Sequence, residues 1–149
     1  MRIPQIDIIN NWVYIDGSKS QKKYLPSWYH CRDIFYNEQY IIKTPTKDNG
    51  GADQNLFERD IWKVVKKDKW SNQFFAPVIS CHRNGKYLVQ KRMFFTSHRR
   101  TELIRNLIEK LCKNYKIGDV DPDDNKNWGM IGKFQPIIFD YGSEESKWS

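Results

Sequence analysis

Short apolar runs broken by tight-turn residues limit the folds open to this chain more than any other feature. Asp16-Gly17 follows the run Ile8-Ile9-Asn10-Asn11-Trp12-Val13-Tyr14-Ile15, Asn84-Gly85 joins residues 74–81 to residues 86–91, and Gly132-Lys133 separates Met130-Ile131 from residues 136–140. Asn-Gly and Asp-Gly supply the positive φ that two-residue hairpin turns need. Ile34-Phe35-Tyr36 and Tyr40-Ile41-Ile42 flank the polar Asn37-Glu38-Gln39 as a further hairpin. Residues 8–15 read as one strand, and residues 18–26, polar and basic, as a loop.

Two segments have helical spacing. Leu103, Ile104, Leu107, Ile108 and Leu111 follow the i, i+3, i+4 rule over residues 101–115, with Ser97 or Thr101 as the cap. After a loop with Asn49-Gly50-Gly51 as its breaker, Leu56, Ile61, Val64 and Val65 mark a second helix, with Asp53 as N-cap and an end near residues 68–71. The order β, ββ, α, ββ, α, loop, ββ gives an α+β fold with a mainly antiparallel sheet. Neither a repeat nor a linker interrupts residues 1–149, so a single domain is expected, with a polar tail at 143–149.

Composition bounds the function classes. Aromatic residues make up 15% of 149 residues, which suits a packed core rather than a disordered chain. A membrane-spanning helix needs about 20 mostly apolar residues, and no such run is present. The N-terminus lacks the apolar core of a secretory signal, so a cytoplasmic protein is expected. Cys31, Cys81 and Cys112 include no C-x-x-C pair, and no zinc or redox motif is written. The three histidines, His30, His82 and His98, are far apart and suggest no metal site. A net charge of +7 admits an anionic partner without choosing one.

One ordered set of residues carries chemistry. Tyr40-Ile41-Ile42-Lys43 ends a strand with a lysine, and Gln54-Asn55-Leu56-Phe57-Glu58 puts a glutamate in the next helix. Asp119-Val120-Asp121-Pro122, Asn127-Trp128-Gly129 and Phe139-Asp140-Tyr141-Gly142 then follow the second helix. Over roughly residues 30–142 this order resembles the protein-kinase-like superfamily, in the small divergent forms carried by bacteria and their phages. The resemblance implies an N-lobe-like antiparallel sheet with one αC-like helix and a minimal, truncated C-lobe. Residues 1–29 would be a divergent N-terminal strand and loop.

The resemblance also implies roles. Lys43 would contact the ATP phosphates and pair with Glu58. Asp119 would accept the proton of a substrate hydroxyl, while Asn127 and Asp140 would hold Mg²⁺. Val89-Gln90-Lys91-Arg92-Met93 would be the hinge facing an adenine, with Gln90, Arg92 and Met93 as binding positions. Together these residues would line an ATP–Mg²⁺ cleft.

Several positions depart from the family pattern. Asp119 to Asn127 is longer than the usual aspartate-to-asparagine spacing, and Asp121, Asp123 and Asn125 are rivals within it. Ile117-Gly118 stands where His-Arg is usual, no G-x-G-x-x-G precedes Lys43, and the chain stops seven residues after Gly142. The expectation is a degenerate cleft with weak or lost phosphotransfer. The alternative is a pseudokinase-like module that docks on a host protein or sits in a virion.

A nucleic-acid module is the remaining class, from Lys67-Asp68-Lys69-Trp70 and Lys91-Arg92-Met93-Phe94-Phe95. It ranks behind the others because RNP, helix-turn-helix and zinc-finger signatures are missing. Asp119-x-Asp121-x-Asp123 lacks the Gly and Glu of an EF-hand loop.

Overall fold

The computed structural model describes residues 2–25, 31–46, 50–96, 101–118, 120–124 and 126–142. They fall into two compact units, one drawn from Met1–Leu56 and Val78–Arg92, the other from Phe57–Pro77 and Met93–Ser149. The architecture is α+β, and its strand pairs are antiparallel. Among the described residues, no helix is long and apolar enough to cross a membrane.

The first unit opens with a three-stranded sheet, β1 (Ile6–Ile9), β2 (Trp12–Ile15) and β3 (Ser18–Lys19), in that order. The single strand expected over residues 8–15 is therefore a hairpin. Asn10 and Asn11 have φ of 52° and 62°, and Asp16-Gly17 repeats the device at 50° and 81°. Asn tolerates left-handed backbone because its short amide can bond locally, so an Asn-Asn pair between apolar residues can turn the chain without glycine. The polar stretch read as a loop also pairs, through β3 and β4 (Gln21–Lys23).

A five-stranded sheet follows, in the order β4-β5-β6-β8-β7, with β5 at Arg32–Tyr36, β6 at Tyr40–Pro45, β7 at Val78–Cys81 and β8 at Leu88–Lys91. Its central strand β6 has Tyr40, Ile42, Lys43 and Thr44 buried. Val13, Ile15, Phe35, Tyr40, Ile42 and Val89 form the core of this unit, and Trp12 meets Phe35 edge to face at 5.4 Å.

Helix α1 spans Gly51–Val65, starting two residues before the expected cap, with Asp53 in its first turn. A Cβ on Gly51 would lie 2.7 Å from Pro45 Cα, so only glycine allows this close start.

In the second unit a short 3-10 helix, Ser71–Phe74, ends on the first residue of the strand expected over residues 74–81. Phe75 and Ala76 leave that line. Phe75 bridges Ile138 in parallel, and the Ala76 N–H donates to Ile138 O at 2.9 Å. Pro77, which has no N–H to give a ladder, then separates them from β7.

Helix α2 (Glu102–Tyr115) forms where its apolar spacing places it. Thr101 Oγ1 accepts the Ile104 N–H at 3.3 Å, and Lys116 ends the helix in left-handed backbone. The hairpin of β9 (Trp128–Ile131) and β10 (Gln135–Ile138) closes the described chain. The buried side chains of this unit include Phe75, Ile108, Leu111, Trp128, Ile138 and Tyr141.

Candidate functional site

In the first unit, Lys43 lies on central strand β6, between Ile34 of β5 and Leu88 of β8 in register. It is only 3% exposed. A long ammonium side chain normally reaches water, so burial of this one on a central strand is unusual for a surface lysine.

The backbone beside Lys43 is fixed by a residue the sequence reading left without a role. Asn55, in the second turn of α1, is fully buried. Its Nδ2 donates to Lys43 O at 3.0 Å and to Gly85 O at 2.9 Å, while its Oδ1 accepts from Arg32 Nη1 at 2.9 Å. One amide thereby ties α1 to β5, to β6 and to the turn between β7 and β8. Gly85 has φ of +77°, and a Cβ there would lie 2.9 Å from the Ala52 carbonyl carbon. Any other residue would disturb both the turn and the Asn55 bond.

Gln90 is fully buried on β8, opposite Ile41 and Val78. Arg92 has structural engagements in this unit: its N–H donates to Gln39 O at 3.0 Å, its Nη1 donates to Asn37 O at 2.7 Å, and its guanidinium lies 4.7 Å from the Tyr36 ring centre. It anchors the β5–β6 turn. Met93, the third expected hinge position, is half-buried and belongs to the second unit.

In the second unit, three separately nominated residues converge on one strand end. Glu58, on α1, is fully buried, and its Oε1 accepts the Tyr141 N–H at 3.0 Å. Asn127 O accepts the N–H of Phe139 at 3.0 Å and of Asp140 at 3.3 Å. The backbone of Phe139, Asp140 and Tyr141 is thus held from both sides, leaving Asp140 half-buried beside Asn127. Tyr141 locks the arrangement: it is fully buried, its hydroxyl donates to Ala76 O at 2.7 Å, and its ring meets Phe75 edge to face at 5.2 Å.

Asp119 and the rival Asn125 lie outside the described residues. The other rivals are both engaged. Asp121 Oδ1 accepts the Asp123 N–H at 2.8 Å, and its carbonyl accepts the Trp128 indole N–H at 3.0 Å. Asp123 pairs with Arg105 of α2.

Among the described residues, no group of three or more His, Cys, Asp or Glu side chains stands close enough to hold a metal ion. The three cysteines form no disulfide. His82 has a turn role, its Nδ1 accepting the Asn84 N–H at 3.1 Å, and His30 and His98 lie outside the described residues.

No family model matches the sequence, and no curated protein matches it. Among solved structures the chain is similar to the ternary complex of streptomycin, ATP and APH(2")-IIa, at 15% identity and a TM-score of 0.44. The match covers 72% of this chain and 38% of that one, so the chain spans well under half of its length. A likeness of this size does not establish a fold.

Proposed function

We propose that this protein is a kinase-like nucleotide-binding protein that takes ATP with Mg²⁺. The observation that carries the reading is the convergence at Asp140. Glu58, Asn127 and Asp140 were each singled out by position in a motif, and the second unit joins all three through backbone bonds at residues 139–141. A plain turn after an edge strand would not need a fully buried carboxylate to receive its N–H.

The order of elements supports the same reading. A strand ending in Lys43 precedes the helix carrying Glu58, then come two paired strands, α2, the acidic loop and a hairpin leading into Asp140. The roles follow the resemblance. By it, Lys43 would supply an ammonium for the phosphates, Gln90 and Met93 would be adenine positions, and Asn127 with Asp140 would hold Mg²⁺. Two protein oxygens suit that ion, which keeps several waters and takes phosphate oxygens to complete its shell. The ion would neutralise charge on the phosphates.

Phosphotransfer, where it occurs, moves the γ-phosphoryl group of ATP to an acceptor hydroxyl, whose proton passes to Asp119 as ADP leaves. The long Asp119–Asn127 spacing and Ile117-Gly118 in place of His-Arg make this step weak. Titration calorimetry of ATP with and without Mg²⁺ tests the reading. Mg²⁺-dependent binding that Asp140→Asn weakens about tenfold or more, a change of about 1.4 kcal/mol, is expected. No heat and no competition at millimolar ATP would overturn it and turn the search to a protein partner.

A further inference from the structure

The far end of α1 plays no part in the nucleotide reading. Lys63, Lys66, Lys67 and Lys69 are all exposed there, in seven residues of sequence. The acid among them, Asp68, has its carboxylate bent onto its own turn. It accepts the N–H of Trp70 at 3.0 Å and of Ser71 at 3.2 Å, and the Ser71 hydroxyl at 3.2 Å. The backbone N–H of Ser71 and then that of Trp70 hold its carboxyl below the usual carboxylate range. Asp60 pairs with Lys63 at 4.0 Å and with Arg59, and Glu109 is exposed on α2.

That turn presents an indole. Trp70 is 48% exposed, while Phe74, buried beneath it, meets its ring edge to face at 5.2 Å and 71°. From α2, Lys110 Nζ lies 5.9 Å from the Trp70 ring centre. Trp70 is therefore not a core aromatic flanked by surface charge. It is a half-exposed aromatic surface packed on Phe74, with the Lys110 ammonium over its ring and exposed lysines close to it in sequence.

We propose that Trp70 and the lysines around it bind single-stranded nucleic acid. A base stacks on the indole, and Lys66, Lys67, Lys69 and Lys110 neutralise the neighbouring phosphates. Lysines alone would serve an acidic peptide equally well. The fixed, half-exposed indole favours nucleic acid, because every unpaired base offers a face to stack on it. A duplex keeps its bases stacked inside and cannot use this surface. Recognition is tolerant of sequence, since stacking and phosphate contacts carry no base readout.

The test is fluorescence anisotropy of the full chain with a labelled 20-nucleotide oligo-dT, across a salt series. About four phosphate contacts predict a slope of log K against log salt near −3, at ~0.7 per phosphate. Trp70→Ala should weaken binding about fivefold to a hundredfold, and Trp70→Phe should recover most of it. Lys66→Glu with Lys69→Glu should lower the slope by more than one, whereas Lys86→Glu, one such charge reversal in the other unit, should leave it unchanged. Melting temperatures of each variant separate unfolding from lost binding. Three results would overturn the proposal: no binding at low salt, equal losses for the Lys86 and Lys66/Lys69 variants, or duplex and poly-glutamate binding as tight as oligo-dT with Trp70→Ala neutral.

Discussion

Helix α2 buries Ile104, Ile108, Leu111 and Cys112, whereas helix α1 buries Gly51, Asn55, Glu58, Ile61 and Val65. Both sets recur at three or four residues, so each helix turns one face inward. The difference lies in what fills that face. In α2 it is apolar throughout, and the helix is held by burial. In α1 its middle is an amide and a carboxylate, and the helix is held by named hydrogen bonds to Lys43, Gly85, Arg32 and Tyr141. Burying polar groups costs free energy unless each is bonded. A chain that does so twice within four positions is using that helix to place other groups, while α2 only supports.

Substitutions can break this comparison, and the largest effect should come from α1. Asn55→Ala would remove one donor from each of the carbonyls of Lys43 and Gly85 and one acceptor from Arg32. At roughly 1–3 kcal/mol for each lost buried partner, a destabilisation of about 3 kcal/mol or more is expected in denaturant unfolding. A cost under about 1 kcal/mol would show that the amide clamp is incidental. Leu111→Ala on α2 should cost about 2–5 kcal/mol through lost burial and a cavity, and Leu111→Met far less. Asn55 should tolerate no apolar replacement of similar volume, so the pair of sites separates bonding from burial.

Glu58→Leu should cost about 1–3 kcal/mol by removing the carboxylate that accepts the buried Tyr141 N–H, and Glu58→Gln less, since an amide oxygen can still accept it. Equal costs would mean that the bond to Tyr141 contributes nothing. Thr101→Ala should cost about 1 kcal/mol by removing the α2 cap, readable as a small drop in thermal midpoint. Val64→Lys should change stability by less than about 0.5 kcal/mol, because Val64 is 57% exposed although its sequence spacing nominated it for the core.

Val64 shows where the sequence reading reached its limit. Apolar spacing found α2 and its end, because one kind of residue fills its buried face, and Thr101 is one of the two caps the sequence offered. The same rule applied to α1 chose Leu56, Ile61, Val64 and Val65, of which only Ile61 and Val65 are buried. A search for the face itself, stepping 51, 55, 58, 61 and 65, would have flagged Asn55. The hairpins turned at residues 37–39, 84–85 and 132–133 were legible; the one turned by Asn10-Asn11 was not, because apolar residues flank it on both sides, nor was the one at Asp16-Gly17, whose second strand is polar. The motif order nominated Glu58, Asn127 and Asp140, and the second unit joins them at residues 139–141. It also nominated Arg92, whose hydrogen bonds tie it to the β5–β6 turn.

By itself, the sequence determined the α+β class, the antiparallel pairing and the helix α2. These follow from spacing and turn chemistry, which act over a few neighbouring residues. Only the tertiary structure decided that Asn55 fixes the backbone of Lys43, that Tyr141 gives its N–H to Glu58, and that Trp70 stands out of the core. Those outcomes depend on partners 12 and 83 residues apart in the first two cases. Hydrogen bonds of that span satisfy groups which burial would otherwise penalise, and no local pattern encodes which distant partner will meet them.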